Sequence, residues 1–264
     1  MKQFIKNIWD AYEEITPSAE LIRKVLNLDN YEFFNDHMAY RSIQSDGVGI
    51  KELAKPFQEH GWKIKDSYNF KEKKLKAIHL EHTKKPHLPK VFISEIILSY
   101  FTDELQSVMQ SCSAEVKKSG NLLSHGRSWD INKKTYDALL QESEYAAWLY
   151  LHGYRVNHFT IRVNDLENHN MNTLIDLLNE KEIPLNTSGG IIKGTKKQGL
   201  VQSSTLADII PVQFSDELKP IYIPSCYVEF AERFTVKGKY FDGFITQSAD
   251  KIFDSTDAKK NNTD

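Results

Sequence analysis

Tyr227-Val228-Glu229-Phe230-Ala231-Glu232-Arg233 is a short, mostly apolar stretch whose composition predicts a β-strand. Alternate side chains of a strand share a face, so Glu229 lies on one face and Glu232 on the other. One of these carboxylates must therefore face whatever the sheet covers. A buried charge is costly unless it pairs with a cation or binds a metal. If Glu229 is the buried carboxylate, the function depends on which cation or metal it binds.

Length and composition are those of a globular protein. The chain has 264 residues, 40% hydrophobic and 11% aromatic, enough to bury a substantial core. A formal net charge of -2 gives no electrostatic reason to expect nucleic acid as a partner. Two cysteines, Cys112 and Cys226, are too few for a disulfide framework and favour a reducing compartment. Without a signal-like start or a bilayer-length apolar run, we expect a cytoplasmic protein with no membrane partner.

Two parts of the chain repeat one order of elements, a strand, a helix and three strands, and the strands are expected to form a curved sheet. The predicted strands are 35–43, 62–70, 75–81, 91–97, 156–163, 186–193, 200–206, 209–214 and 227–234. The predicted helices are 2–27, divided at Pro17 with a second helix starting at a Ser18 cap, then 47–59, 101–118, 132–151 and 169–181.

These elements predict an α+β fold of two modules. N-terminal helices occupy residues 1–30, module one 31–100, a helical insert 101–153 and module two 154–256. We expect one catalytic domain over 1–256 and a disordered tail at 257–264.

The repeat is closest at the two ends of each module. Asp36-His37-Met38-Ala39-Tyr40-Arg41 opens the first module and Asn157-His158-Phe159-Thr160-Ile161-Arg162 opens the second, each with an arginine four residues after a histidine. Phe92-Ile93-Ser94-Glu95-Ile96 closes the first, as Tyr227-Val228-Glu229-Phe230 closes the second. If the modules pack about a pseudo-twofold axis, His37, His158 and Glu229 can converge on one point.

Two imidazoles and one carboxylate on rigid strands form the ligand set of a facial triad. Such a site leaves positions open on a divalent metal for a chelating substrate and O2. The set favours Fe(II), with Mn(II), Co(II) or Zn(II) as alternatives. A single histidine such as His37 is more often a satisfied core residue, but two histidines at equivalent repeat positions favour metal ligation.

Arg41 is the candidate for binding substrate. It follows His37 on the same strand face, roughly 13 Å along the chain, and its side chain leaning back would put the guanidinium on the order of 7 Å from the metal. At that reach it could hold the far carboxylate of a dicarboxylic acid of roughly five or six carbons. The alternative for an arginine here is a surface ion pair.

Four further residues are weaker candidates. Gln202 could orient substrate or a metal-bound oxygen, or cap the backbone. Lys193 could help to shape the pocket mouth and bind substrate. Glu95, the repeat counterpart of Glu229, is either a fourth residue near the metal or an ion-paired side chain. Arg162 could support Arg41 or pair with a glutamate.

Three histidines, His79, His82 and His87, lie among lysines in a predicted hairpin. With no cysteine nearby, this setting favours a solvated loop over a zinc cluster. The lysines at 71, 73, 74 and 76 likewise predict a solvated turn.

Five stretches across nearly the whole chain resemble the 2-oxoadipate dioxygenase/decarboxylase family, also called 2-hydroxyglutarate synthases. They are Asn35-Asp36-His37-Met38-Ala39-Tyr40-Arg41, Val156-Asn157-His158-Phe159-Thr160, Gly190-Ile191-Ile192-Lys193-Gly194, Leu200-Val201-Gln202-Ser203-Ser204 and Tyr227-Val228-Glu229-Phe230-Ala231-Glu232-Arg233. The resemblance implies a vicinal-oxygen-chelate fold, similar also to 4-hydroxyphenylpyruvate dioxygenase in its metal site.

The resemblance also implies an activity. Its metal ligands fall on His37, His158 and Glu229, and its substrate-binding arginine falls on Arg41. The family converts 2-oxoadipate and O2 to 2-hydroxyglutarate and CO2 with Fe(II), in lysine catabolism.

Two other classes of function stay open. One is a metal-dependent isomerase, lyase or hydrolase of the same fold that does not use O2. The other is a metal-free protein that binds a small acid through hydrogen bonds. Metal content separates the metal-free binding protein from the two kinds of enzyme. Oxygen dependence separates the dioxygenase from the metal enzyme that does not use O2. The sequence carries no signal for oligomeric state.

Overall fold

A computed structural model describes residues 2–28, 35–119, 123 and 126–256. Its helices are α1 (Lys2–Glu13), α2 (Pro17–Val25), α3 (Ile50–Glu59), α4 (Asp103–Ser119), α5 (Lys133–Glu142), α6 (Glu144–His152), α7 (Met171–Glu180) and α8 (Thr246–Ile252). Its strands are β1 (Asn35–Ile43), β2 (Trp62–Phe70), β3 (Leu75–His82), β4 (Lys90–Ile96), β5 (Val156–Arg162), β6 (Lys193–Thr195), β7 (Leu200–Ser204), β8 (Ile209–Val212), β9 (Ile221–Pro224), β10 (Tyr227–Arg233), β11 (Thr235–Val236) and β12 (Lys239–Tyr240).

The main sheet has eight strands in the order β2-β3-β4-β1-β5-β10-β7-β6. β1 and β5, the histidine strands of the two modules, pair antiparallel at its centre. On their outer sides β4 runs parallel to β1, and β10 runs parallel to β5. The glutamate strand of each module thus lies beside its own histidine strand, and the predicted α+β fold of two repeated modules is confirmed.

Strand alternation gives the sheet two different faces. Tyr40 packs against Phe57 of α3, and Phe159 packs against Trp9 and Tyr12 of α1. We call this the helix face, and aromatic burial there supplies much of the core. The opposite face, which we call the site face, carries the two histidines and Glu229.

Most predicted strands are present with small shifts at their ends, and 35–43 and 62–70 have the predicted bounds. The predicted strand 186–193 is wrong, because Gly189 and Gly190 both take positive φ and the Gly190 N–H bonds to the Thr187 carbonyl. These glycines form a turn, and strand pairing starts at Lys193.

Two other predicted elements need correction. The helix 132–151 is two helices, because Ser143 ends α5 and its side chain caps α6 through the Ala146 N–H. The second N-terminal helix begins at Pro17, and Ser18 bonds to Asp208 and does not act as its cap. The strand predicted near 209–214 is present as β8, which pairs with β9 in a separate two-stranded sheet.

The C-terminal elements were not predicted from the sequence. α8 and a 3₁₀ turn, Phe253–Thr256, follow β12 and pack on the site face. The predicted disordered tail at 257–264 lies outside the described residues. Within the described ranges, no helix is both long and apolar enough to cross a membrane.

Gly153 joins α6 to β5 and allows a test of this connection. It has φ +67°, and an added Cβ would lie 2.2 Å from the carbonyl carbon and oxygen of Gly126. We expect Gly153→Ala to lower the free energy of unfolding by about 3 kcal/mol or more, since both strain and overlap oppose it. Chemical denaturation measures this loss.

Gly238→Ala is the matched control. Gly238 also has positive φ, at +77°, but an added Cβ would meet nothing within 4 Å. Only the cost of placing alanine at positive φ remains, so the free energy of unfolding should fall by about 1 kcal/mol. Equal losses in the two variants would contradict the close approach of residues 126 and 153.

Candidate metal centre

His37, His158 and Glu229 lie on three adjacent central strands, β1, β5 and β10. The strand register places His37 opposite Thr160, and Thr160 opposite Glu229. One ligand atom from each of the three side chains lies within 4.8 Å of the other two. His158 Nε2 is 3.0 Å from Glu229 Oε2, and His37 Nε2 is 3.6 Å from Oε1. The convergence expected from the repeat is therefore present in the fold.

Both imidazoles are held from behind by the preceding residue. His37 Nδ1 lies 2.8 Å from Asp36 Oδ1, and His158 Nδ1 lies 3.1 Å from Asn157 Oδ1. Both oxygens can accept, so a neutral ring that donates its Nδ1 proton to them has its lone pair on Nε2.

His158 Nε2 faces Glu229 Oε2, and His37 Nε2 lies 3.6 Å from Glu229 Oε1 and 3.0 Å from the Thr160 hydroxyl. With the ring proton on Nδ1, Nε2 and the carboxylate oxygens are all acceptors, and a cation between them would satisfy them together. The donor set therefore fits a divalent metal ion, in the arrangement where each metal-bound histidine donates its other ring N–H to a protein oxygen.

Charge in the centre suits metal binding. Burial opposes ionisation of Glu229, but the neighbouring His37 and His158 and a hydrogen bond from Gln202 outweigh it and leave the pKa of Glu229 lowered. Burial lowers the pKa of His158, against the opposing pull of Glu229. An ionised carboxylate and a neutral imidazole are the forms in which these groups bind metals.

Gln202 is one of the predicted residues that the structure places at this centre. Its Nε2 donates to Glu229 Oε1 at 2.5 Å, and its Oε1 is buried without a hydrogen-bond partner among the described residues. It orients a candidate ligand and leaves an acceptor available. Its role toward substrate stays a prediction.

Asp36 connects His37 to a buried ion pair. Arg233 of β10 donates to both carboxylate oxygens, at 2.7 and 2.8 Å. Burial would raise the pKa of Asp36, but Arg233 outweighs it and holds that pKa well below its usual range. Asp36 is thus held in its ionised form between the His37 ring on one side and Arg233 on the other.

Arg41 is buried, with 1% of its surface exposed, so the surface ion pair considered above is wrong. Its Nη1 donates to Glu144 Oε1 at 2.9 Å and its Nη2 to Thr256 Oγ1 at 2.7 Å. The guanidinium lies over the rings of Tyr145 and Trp148, 4.9 and 5.0 Å from their centres. Its Nε is buried and has no hydrogen-bond partner within the described ranges.

Residues 244–256, which we call the closing segment, cover the centre. Phe244, Ile252 and Phe253 line one side of a cavity of about 20 Å³ whose other side includes the three candidate ligands. That volume holds about one water molecule or ion. An acid of the size expected from the sequence can reach the centre only if the closing segment moves.

Polar contacts hold the end of the closing segment to the rest of the protein. Asp254 accepts from Lys73 at 2.6 Å and from Ser188 at 2.9 Å. Ser255 contacts Asn186 and Ser204, and Thr256 contacts Arg41 and Glu144. These bonds can exchange with water or ligand, so they fix the segment without sealing it permanently.

Lys193 is buried, and its ammonium group donates to the Asn186 carbonyl at 2.6 Å. Burial lowers its pKa to about 8, opposed by Glu229 and Asp254. It lies on β6 opposite Gln202, at the edge of the centre. Its role in binding substrate stays a prediction.

Two of the weaker candidates lie away from the metal ligands. Glu95 accepts from the Ile50 N–H at 2.8 Å and lies 3.3 Å from Lys76, so its ion-pair interpretation is confirmed. Arg162 lies 3.5 Å from Asp36 and from Asp165, and neither supports Arg41 nor pairs with a glutamate in the described contacts.

The solvated interpretation of the histidine hairpin is wrong for His79. Its side chain is 2% exposed, bonds to the Tyr68 hydroxyl at 2.8 Å and packs on Phe244. Burial lowers its pKa. His87 is exposed, and no metal-binding group among the described residues includes this hairpin.

The lysine turn is also less solvated than expected. Lys73 pairs with the buried Asp254, and Lys76 lies beside Glu95. Lys74 donates to the Tyr100 carbonyl at 2.8 Å.

Asp36 and Arg233 were not among the predicted site residues, although the sequence holds one signal for the first of them. An acceptor, aspartate or asparagine, directly precedes the histidine in both modules. The partner of Arg233 lies 197 residues away, and no local pattern points to it. The closing segment also gave no signal, because its polar anchors find their partners only in the folded protein.

The fold and the buried group define the class, a protein of vicinal-oxygen-chelate-like fold with a candidate metal centre between two repeated modules. A Ralstonia eutropha JMP134 protein named for the glyoxalase superfamily shares the fold. The TM-score is 0.72, with 17% identity, over 90% of this chain and 83% of that chain.

This chain belongs to the 2-oxoadipate dioxygenase/decarboxylase family, and it is an enzyme. The family model described as 2-oxoadipate dioxygenase/decarboxylase matches residues 114–241. The Arabidopsis thaliana protein named 2-oxoadipate dioxygenase/decarboxylase, chloroplastic, is 35% identical over 91% of this chain and 72% of its own length. The resemblance seen in the sequence is confirmed.

Two solved structures are similar over almost their whole length. A Shewanella frigidimarina NCIMB 400 protein, provisionally named as a hydrolase, has a TM-score of 0.87 and 39% identity over 93% of this chain and 97% of that chain. The hydroxyglutarate synthase from Oryza sativa in complex with 2-oxoadipate has a TM-score of 0.87 and 29% identity over 97% and 91%.

Replacing His37 by Ala removes one of three ligand atoms. We expect the variant to lose stoichiometric binding of Fe(II) or Co(II), and turnover with it, because two remaining donors hold a divalent ion poorly. Metal content after anaerobic loading and desalting measures the first effect.

His87→Ala is the control, since this exposed histidine lies outside the candidate centre. It should bind metal like the unchanged protein. A His37→Ala protein with full metal content and activity would remove His37 from the centre.

Proposed function

We propose that the protein is an Fe(II)-dependent dioxygenase/decarboxylase that converts a 2-oxo dicarboxylic acid such as 2-oxoadipate, with O2, to 2-hydroxyglutarate and CO2. The observation that carries the proposal is the buried group of His37, His158 and Glu229. The atoms balance, because one oxygen atom of O2 is required for the new carboxylate and the other for the new hydroxyl.

The three candidate ligands would hold the metal. When bound, it would supply Lewis acidity for the 1-carboxylate and 2-oxo group of the acid and electrons for the reduction of O2. The protein's contribution is geometry, since Asp36 and Asn157 fix the two imidazoles and Gln202 fixes the carboxylate.

Arg41 is suited to the far carboxylate of such an acid. Glu144 occupies Nη1, whereas the Nε and Nη2 edge meets only the neutral Thr256 hydroxyl. A carboxylate that displaces Thr256 would accept two parallel hydrogen bonds from this edge. Burial between two aromatic rings fixes the guanidinium in advance, so little conformational entropy is lost on binding.

The closing segment gives the site two states. In the described state, Phe244, Ile252 and Phe253 leave the centre room for about one water molecule or ion, and Thr256 accepts a hydrogen bond from Arg41. Binding of the acid would require the segment to move and would offer Arg41 a charged partner in place of a neutral one. A dry site also limits side reactions of a reactive centre.

The position of the candidate centre favours small molecules as substrate and product. The centre is a small cavity beneath the closing segment. We therefore propose a 2-oxo acid and O2 as the partners of this site.

Oxygen uptake tests the proposed reaction. The protein is loaded with Fe(II) without oxygen and challenged with 2-oxoadipate and with shorter and longer 2-oxo acids. We expect one O2 consumed per CO2 released, with 2-hydroxyglutarate as the product of 2-oxoadipate. Stoichiometric metal without uptake for any acid would contradict the proposal and favour non-oxidative metal chemistry.

Arg41→Lys tests recognition of the far carboxylate. Lysine keeps the charge but loses the planar edge, so we expect kcat/KM for 2-oxoadipate to fall about 10- to 100-fold. For 2-oxohexanoate, which has a methyl group in place of that carboxylate, the same substitution should change kcat/KM by less than about threefold.

Arg162→Lys is the matched control from the equivalent position of the second module. This side chain lies beside Asp36 and Asp165 and does not contact Arg41 in the described structure. In the Arg162→Lys variant, the ratio of kcat/KM for 2-oxoadipate to kcat/KM for 2-oxohexanoate should stay unchanged. Equal loss of activity toward both acids in the Arg41 variant would show that Arg41 acts through the fold.

A further inference from the structure

Tyr227 has a buried hydroxyl that the protein does not satisfy. The residue is 0% exposed, and its hydroxyl has no hydrogen-bond partner in the described part of the chain. Buried polar groups are nearly always paired, so a fully buried phenol without a partner requires an explanation. Such groups occur where a ligand, water or ion completes the site.

The position of Tyr227 points to a ligand. Its ring stacks on the His158 imidazole, with centres 4.7 Å apart and planes at 27°. It is two residues before Glu229 on β10, so both side chains lie on the site face. The phenol ring therefore lies beside two residues that line the cavity of the candidate metal centre, His158 and Ile252.

The strand register shows where Tyr227 lies relative to the candidate metal ligands and Arg41. His37, Thr160 and Glu229 form one row across β1, β5 and β10. Ala39, His158 and Tyr227 form the next row, displaced toward the Arg41 end of β1. An acid held by the metal at one end and by Arg41 at the other would pass over this second row.

The closing segment leaves the hydroxyl unsatisfied in the described state. Tyr227 packs in an apolar cluster with Ala207 and with Ile252 of that segment. Ile252 offers only a hydrocarbon side chain, so it packs on Tyr227 without accepting a hydrogen bond from the phenol. Movement of the segment would replace this apolar contact by the acid.

We propose that Tyr227 is a substrate-binding residue, whose hydroxyl donates a hydrogen bond to an oxygen of the 2-oxo acid that displaces Ile252. The phenol suits this task, because it donates without adding charge beside Glu229. Stacking on His158 also aligns the donor with the metal ligand. This inference rests on the proposed function, since it requires an acid in the centre.

Tyr227→Phe removes the hydroxyl and keeps the ring. Binding is measured by calorimetric titration of 2-oxoadipate into anaerobic protein loaded with Co(II), together with Co(II) content and the unfolding temperature. We expect the Kd for 2-oxoadipate to rise about tenfold or more. Metal content should stay the same, and the unfolding temperature should not fall, because no bond within the protein is lost.

Tyr40→Phe is the matched control. Tyr40 is also buried, and its hydroxyl is also unpaired among the described residues, but its ring packs on Phe57 at the helix face. Removal of the Tyr40 hydroxyl should leave the Kd for 2-oxoadipate unchanged.

The outcomes separate this inference from the function on which it rests. If the unchanged protein binds 2-oxoadipate and Tyr227→Phe binds it equally well, the inference is overturned and the function stands. A clear fall in the unfolding temperature of Tyr227→Phe would also overturn it, by assigning the hydroxyl a protein partner. If the unchanged protein binds no 2-oxo acid, both fail together.

Discussion

The buried pair of Asp36 and Arg233 is the interaction on which the rest of the centre depends. Arg233 belongs to the same strand as Glu229, and Asp36 precedes His37, so one ion pair connects strands that supply two of the three candidate ligands. Removing either partner would leave an uncompensated buried charge, at a cost of about 3–5 kcal/mol. The geometry of this ion pair therefore fixes both the distance between the modules and the orientation of the His37 imidazole.

The two faces of the sheet divide stability from chemistry. Aromatic packing of α1 and α3 on the helix face does not involve the candidate ligands, so the site face can carry buried charge, unpaired donors and a small cavity. Arg41 and Tyr227 both retain buried donors without partners in the described structure. Such groups lower stability, and they persist where a ligand will use them.

The features of the fold and site that could be predicted from the sequence are those that leave a local pattern in it. Alternation and the repeated histidine predicted the central strands and the convergence of His37, His158 and Glu229. Tertiary contacts determined the rest. The turn at Gly189 overrode a strand pattern, and His79 is buried because Phe244, far along the chain, packs on it. The closing segment has anchors contributed by distant elements, which no local period records.

The span of the centre along the chain has a consequence for biosynthesis. Its candidate ligands begin at His37 and end at Glu229, and the supporting ion pair joins residues 197 positions apart. A ribosome must therefore synthesise nearly the whole chain before the ligands can meet. Before the second module docks, the three side chains are far apart, so the candidate centre exists only once both modules have folded together.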